Sequence, residues 1–236
     1  MLFVSCSSVG ESNDIKIDSI KLDVKVENNK SILNGKYCKI VLPEQYKIEK
    51  ENLYSNIDVL NSQFEKNAAS FVDTAKSDYA IMSDSEKDNF LYEYSEDVNV
   101  ITRNESVFSL LTNTYIDTMG AHGGTIIKCY NYDMINGQKI KLSNIILDSN
   151  GIKNLIINKL NSDEYSEFTF FDDYKNIIDN FFDFSKNDYD LQFNILDDGI
   201  NFIFNQYDIA AYSEGIITVN FDVNEIKDKI SGYYWE

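Results

Sequence analysis

The sequence predicts an α+β fold, mainly antiparallel sheet flanked by a long N-terminal helix and shorter C-terminal helices. Apolar residues alternate at period two in many runs, as in Ile20, Leu22, Val24 and Val26 or Ile200, Phe202 and Phe204. That is how a strand with one buried face reads. One long segment departs from this rhythm: Leu53, Ile57, Leu60, Phe64, Ala68 and Phe71 recur at three- and four-residue steps, the stripe of an amphipathic helix lying on a sheet. Strands outnumber helices and do not alternate with them regularly, which favours antiparallel α+β over a doubly wound parallel sheet.

Taken in order, residues 15–26 and 37–42 read as paired strands joined by a polar turn over 27–35, with the sole proline, Pro43, closing the second run. The helical stripe follows, and the acidic stretch 76–89 reads as a loop. Residues 90–103 and 107–119 are extended in character, with a turn at 104–106. Residues 125–142 have strand texture on both sides of Asn136-Gly137, the dipeptide most favoured in two-residue hairpin turns because both residues tolerate positive φ. Ile152, Leu155, Ile156 and Leu160 mark a short helix, and Tyr174, Ile177, Ile178 and Phe181 another. Leu191, Phe193 and Ile195 alternate into Asp198-Gly199 and out again, a second hairpin. Ile217, Val219 and Phe221 give a last strand, and Asp222 with Glu225 three residues on has the form of a capping box opening a final helix. The expected organisation is a tether over 1–13, an N-terminal α+β subdomain over 14–105 and a C-terminal α+β subdomain over 106–236.

Hydrophobic residues make up 43% of the 236-residue chain and aromatics 14%, spread along its length, enough to bury a core and to argue against disorder. Against 21 Lys and Arg stand 39 Asp and Glu, a formal net charge of −18. Such a surface repels polyanions, which removes nucleic acid and anionic headgroups as partners and attracts cationic ones. Acidic surfaces also simply keep proteins soluble.

The opening Met-Leu-Phe-Val-Ser-Cys-Ser-Ser resembles the end of a bacterial lipoprotein signal, with Cys6 the lipidated residue, Ser5 the small residue before the cut and 7–13 a tether. Met1 to Val4 supply only the tail of an apolar stretch, so on this reading the start codon is mis-assigned or the signal has been lost; a cytosolic protein with an apolar N-terminus is the alternative. Nothing else approaches the ~18 apolar residues of a membrane helix. The membrane is therefore expected only through a lipid anchor, with the body in the extracytoplasmic envelope. With Cys6 lipidated, Cys38 and Cys129 remain as a pair that an oxidising compartment would permit to bridge, or as two buried thiols. A metal site is not expected: the two cysteines are far apart in sequence and His122 is the only histidine. No cofactor is expected either.

Two segments invite a functional reading. In Gly120-Ala121-His122-Gly123-Gly124 the glycines let a partner's backbone approach closely, or they merely shape a tight turn. Tyr207, Asp208 and Tyr212 lie in Asn-Gln-Tyr-Asp-Ile-Ala-Ala-Tyr-Ser-Glu-Gly; such tyrosines grip a sugar or a protein at low entropic cost, or they pin a corner to the core. With Tyr130-Asn131-Tyr132-Asp133-Met134, Asn136-Gly137-Gln138-Lys139-Ile140-Lys141-Leu142 and Asp198-Gly199-Ile200-Asn201-Phe202, these segments resemble in order and spacing the extracytoplasmic domain of lysozyme-binding anti-sigma factors. That domain also occurs in uncharacterised bacterial lipoproteins and is appended to some peptidoglycan deacetylases. The resemblance covers roughly 106–230 and is weaker over 15–103. It implies ligand binding by residues 120–124, Tyr207, Asp208 and Tyr212, with a lysozyme-like cationic protein or a cell-wall glycan as partner. It does not carry over signalling through a sigma factor, because neither the transmembrane helix nor the sigma-binding segment is present, nor deacetylase chemistry, because one histidine cannot supply its metal site.

The expected protein is thus a binding module and not an enzyme. The competing readings are a peptidoglycan-directed hydrolase in which His122 works with Asp117 or Asp133 as acid and base, and a purely structural envelope lipoprotein.

Overall fold

The structure, a computed structural model, describes residues 14–185 and 191–235; Cys6 and the tether lie outside the described residues. The chain divides into two compact units, Met1–Val98 with Asn113–Gly124 and Asn99–Thr112 with Thr125–Glu236. The first unit thus ends its opening run before residue 105 and takes back a stretch from the second half. The fold is mixed α+β with mostly antiparallel pairing.

In the first unit, β1 (Lys16–Lys25) and β2 (Ser31–Val41) pair antiparallel, Ile17 opposite Ile40 and Val24 opposite Leu33. The turn is shorter than the expected 27–35. Asn28 and Asn29 take φ of 61° and 62°, which asparagine tolerates, and Val26 N–H reaches Lys30 O at 2.9 Å, so the chain reverses within a few residues. Two helices, α1 (Tyr46–Glu49) and α2 (Glu51–Ile81), follow. The second runs past the expected loop start at residue 76, because Ala75 continues the buried stripe of Leu53, Ile57, Leu60, Phe64 and Ala68 and Tyr79 meets Phe90 edge-on at 5.5 Å. A further turn, α3 (Asp84–Lys87), opens on a Ser83/Glu86 capping box.

The next strand, β3 (Tyr92–Arg103), pairs with β2 in parallel, Leu33 opposite Tyr92 and Gly35 opposite Tyr94. The cause of this parallel pair within a mainly antiparallel fold is the helix: a chain that leaves β2 and returns beside it in the same direction needs a long crossover, which the helical segment supplies. Gly35 makes the pairing fit, since a Cβ there would stand 1.7 Å from Tyr94 O. Around it Phe71, Phe90, Tyr92 and Tyr94 stack with centroids 4.5 to 5.9 Å apart. Farther along β2, Asn61 of α2 stands in for a strand: its Oδ1 accepts from Ile40 N–H and its Nδ2 donates to Ile40 O, both at 2.8 Å.

In hydrogen-bonded order the first five strands run β1-β2-β3-β4-β5, where β4 is Val107–Asp117 and β5 is Gly124–Asp133. The β3–β4 turn falls at the expected 104–106: Asn104 Oδ1 accepts from Ser106 and Val107 N–H at 2.9 and 2.7 Å.

The second unit adds α4 (Leu142–Ile145), α5 (Ser149–Leu160) and α6 (Tyr174–Phe181), then a three-stranded antiparallel sheet of β6 (Gln192–Ile195), β7 (Gly199–Phe204) and β8 (Ile217–Asp222), and the short α7 (Val223–Ile226). Ile152, Ile156, Ile178, Ile195, Phe202, Phe204, Val219 and Ile226 are among its fully covered core residues. The Asp198-Gly199 hairpin forms, closed by Leu196 N–H on Gly199 O at 2.8 Å, and so does the Asp222/Glu225 capping box. The two-residue hairpin at Asn136-Gly137 does not. Asp133 Oδ1 accepts from Ile135 and Asn136 N–H at 2.7 and 3.0 Å, and Gly137 N–H reaches Asp133 O at 2.8 Å with φ 73°. The result is a wider loop with one bridge, Tyr132 to Lys139, and no strand beyond it.

At the β5 edge, side-chain amides of this unit replace a neighbouring strand. Asn205 accepts from Ile127 N–H at 2.6 Å and donates to Ile127 O at 3.1 Å; Gln206 takes Thr125 N–H at 3.0 Å and Gln192 takes Cys129 N–H at 2.8 Å. Asn131 reaches the other way, donating to Phe193 O at 2.8 Å and accepting from Ile195 N–H at 3.1 Å. Asn194, fully buried, donates to Ser109 Oγ and Leu110 O at 2.9 and 3.0 Å. Removing such an amide strands buried backbone groups, which costs more than the bond itself contributes. Asn205→Ala is therefore expected to destabilise the protein by about 2–3 kcal/mol, read as a lower urea midpoint at unchanged slope.

Candidate functional site

The glycine-framed loop belongs to the first unit and the tyrosine corner to the second; each is built separately. The loop starts where β4 ends. Asp117 Oδ1 accepts from Met119 N–H at 2.7 Å, and Asp117 Oδ2 lies 3.4 Å from Tyr115 Oη. This holds Met119 at φ 62°, a left-handed conformation that a bulky side chain rarely adopts. Leu91 N–H then donates to Met119 Sδ at 3.2 Å. Gly120, Ala121 and His122 are exposed, Gly123 is buried and Gly124 half-buried. His122 Nδ1 lies 3.0 Å from Gly123 O; a carbonyl only accepts, so Nδ1 carries a proton.

The three glycines differ in what they do for the fold. A Cβ on Gly123 would stand 2.3 Å from Tyr115 Oη and 2.5 Å from its ring, so the tyrosine lies where a side chain would go. On Gly124 a Cβ would meet nothing within 4 Å, and on Gly120 only His122 O at 4.0 Å; neither residue has positive φ. Close packing accounts for Gly123 alone.

In the corner, Tyr207 takes φ 68° and is 59% exposed. Its ring lies 5.8 Å from that of half-buried Tyr212. Asp208 Oδ2 accepts from Asn205 N–H at 2.6 Å, the same Asn205 whose side chain holds Ile127. Phe171 N–H on Ile209 O at 3.0 Å and the Phe170–Ala210 bridge fix the segment between the tyrosines. Burial pushes the Asp208 carboxyl above the usual carboxylate range, with the Asn205 N–H partly opposing it.

Of the two aspartates considered as partners of His122, Asp117 builds the Met119 turn, whereas Asp133 is buried in the second unit, where it winds the 134–137 loop. The thiols do not bridge. Cys38 donates to Glu96 O at 3.1 Å and Cys129 to Asn194 Oδ1 at 3.2 Å, each inside its own unit. Burial pushes Cys129 up to about 12 and raises Cys38, so neither offers a thiolate at neutral pH. Among the described residues no group of three or more His, Cys, Asp or Glu could hold a metal ion, and no helix is long and apolar enough to cross a membrane.

Residue type alone did not signal the left-handed turns at Met119 and Tyr207, since bulky residues argue against positive φ. The carboxylates two residues before the first and one after the second are the only traces.

Residues 142–224 match the model of a family described as a protein of unknown function, DUF3298. The match contains the tyrosine corner and leaves out the glycine loop. No curated protein matches the chain. The crystal structure of a DUF3298 family member from Bacteroides fragilis NCTC 9343 is similar at 18% identity, over 95% of this chain and 96% of that one, with a TM-score of 0.66. A DUF3298 family protein from Pseudomonas aeruginosa PAO1 is similar at 11% identity, over 96% and 99%, with a TM-score of 0.55. At these identities the likeness is one of fold.

Two outcomes are expected. Because folding raises the Asp208 pKa, its unfavourable contribution is absent below the unfolded value near 4 and grows as pH rises through the folded value. Asp208→Asn should therefore melt higher than the native protein at pH 7, and the gain should vanish near pH 3. Native protein at pH 7.5 should also resist alkylation by iodoacetamide at Cys38 and Cys129 and react at both once unfolded in guanidinium, as followed by mass spectrometry.

Proposed function

We propose that this protein is an extracytoplasmic binding module, tethered by lipid on Cys6, that recognises a cationic protein of the lysozyme type through the loop at residues 120–124. The observation that carries the reading is the pair Gly120 and Gly124: the fold has room for a side chain at both, yet both are glycine beside an exposed histidine. A partner's backbone lying against the loop gives a reason for their bareness that intramolecular packing does not. The net charge of −18 supports a cationic partner, since long-range attraction raises the association rate and salt screens it.

Tyr207, Asp208 and Tyr212 are a separate candidate contact on the second unit. Tyr207 holds an exposed aromatic ring on a strained backbone, and such strain concentrates at binding and switch sites. Asp208 keeps an ionisable carboxylate where burial disfavours its charge. The same tyrosine pair favours a cell-wall glycan as the second reading, because the exposed Tyr207 ring beside Tyr212 offers aromatic surface to a sugar.

The test uses immobilised protein and hen c-type lysozyme at low and high salt. Binding is expected at low salt and should weaken as salt rises. Gly120→Ala and Gly124→Ala are expected to keep the native melting temperature and to lose about tenfold or more in affinity, near 1.4 kcal/mol, whereas Gly123→Ala should lower the melting temperature by displacing Tyr115. Absence of lysozyme binding at any salt, with peptidoglycan fragments bound instead, would replace the protein partner by the glycan.

A further inference from the structure

We propose that Met119 is the site at which peroxide modifies this protein, and that its oxidation loosens the 119–123 loop from the start of β3. Of the described methionines, Met119 is 45% exposed, Met134 is 5% exposed and Met82 is half-buried. Thioether oxidation follows access of the oxidant to sulfur. Met119 is also held in place: Asp117 fixes its backbone, and Leu91 N–H donates to its sulfur at 3.2 Å. The sulfur thereby does the work of a backbone acceptor, tying the end of the loop to the residue just before β3.

A thioether sulfur has two lone pairs. The Leu91 N–H engages one, and the other attacks the terminal oxygen of the peroxide. The S–O bond forms as the O–O bond breaks, sulfur is oxidised by two electrons, and the other oxygen of hydrogen peroxide leaves as water after taking the proton from the transferred oxygen. The sulfoxide sulfur carries partial positive charge and accepts hydrogen bonds poorly, and the new oxygen is bonded through the lone pair that faces away from Leu91, so the Leu91 tie weakens. Asp117 still accepts from Met119 N–H, so what loosens is the tie between the Met119 side chain and the residue before β3. The modification stands apart from the binding reading and does not require it.

The test treats the intact protein with dilute hydrogen peroxide, maps the gain of one oxygen by peptide mass spectrometry, and follows amide exchange at Leu91. The Met119 peptide is expected to oxidise about tenfold faster than those of Met82 and Met134, and Leu91 exchange to accelerate in step with it. A methionine sulfoxide reductase should restore both. Met119→Leu, which keeps the volume without the acceptor, should show fast Leu91 exchange before any oxidant is added. Equal oxidation rates at the three methionines, or Leu91 exchange that ignores the state of Met119, would overturn the proposal.

Discussion

A sheet edge carries a row of N–H and C=O groups that must find partners, and the second unit depends on how it meets that demand at β5. It uses amides: Gln206, Asn205 and Gln192 serve the alternate residues Thr125, Ile127 and Cys129 of that strand, and Asn131 of β5 in turn serves Phe193 and Ile195 of β6. A carboxamide has the donor and acceptor of a peptide group in nearly the same geometry, so one side chain continues a ladder without another strand. The first unit applies the same device where Asn61 of α2 pairs with both backbone groups of Ile40. The edge is thereby closed to strand addition from outside. Among the described residues no buried side-chain nitrogen or oxygen lacks a partner.

This arrangement also explains why the tyrosine corner sits where it does. Asn205 and Gln206 are bound to β5, so the chain leaving β7 is held at two successive residues before Tyr207. The left-handed turn at Tyr207 follows a fixed point, and Asp208 reaches back to Asn205 N–H to complete it. The Met119 loop is built on the same plan, with Asp117 as the carboxylate that secures an awkward backbone. In both places a short polar side chain stabilises a conformation that leaves a large apolar side chain exposed.

Much of the fold was legible because burial leaves a periodic trace. The helical stripe from Leu53, the hairpin at Asp198-Gly199 and the capping box at Asp222 follow from residue spacing, and all three are present. The failures share a cause: local signals outweighed by tertiary partners. Acidic residues at 76–89 read as loop, yet Ala75 and Tyr79 carry the helix onward against Phe90. Asn136-Gly137 reads as a tight hairpin, yet Asp133 captures the turn's amides. The parallel pairing of β2 with β3 rests on Gly35, whose role depends on a residue far along the chain. The candidate segments were legible from their glycines and tyrosines, but which glycine is required by packing is a question of space, and spacing in sequence cannot answer it.

The β2–β3 pair has a bearing on the order in which the molecule forms. Leu33 must meet Tyr92, and between them lies the whole of the long helix, so the intervening chain has to be closed before that pairing contributes anything. Closure entropy grows slowly with loop length, but contacts this distant in sequence slow folding. A stiff helix formed early shortens the search by replacing most of the flexible connection with a rod. During synthesis the β1–β2 hairpin can fold at once, while its inner edge waits, unpaired, until β3 has left the ribosome.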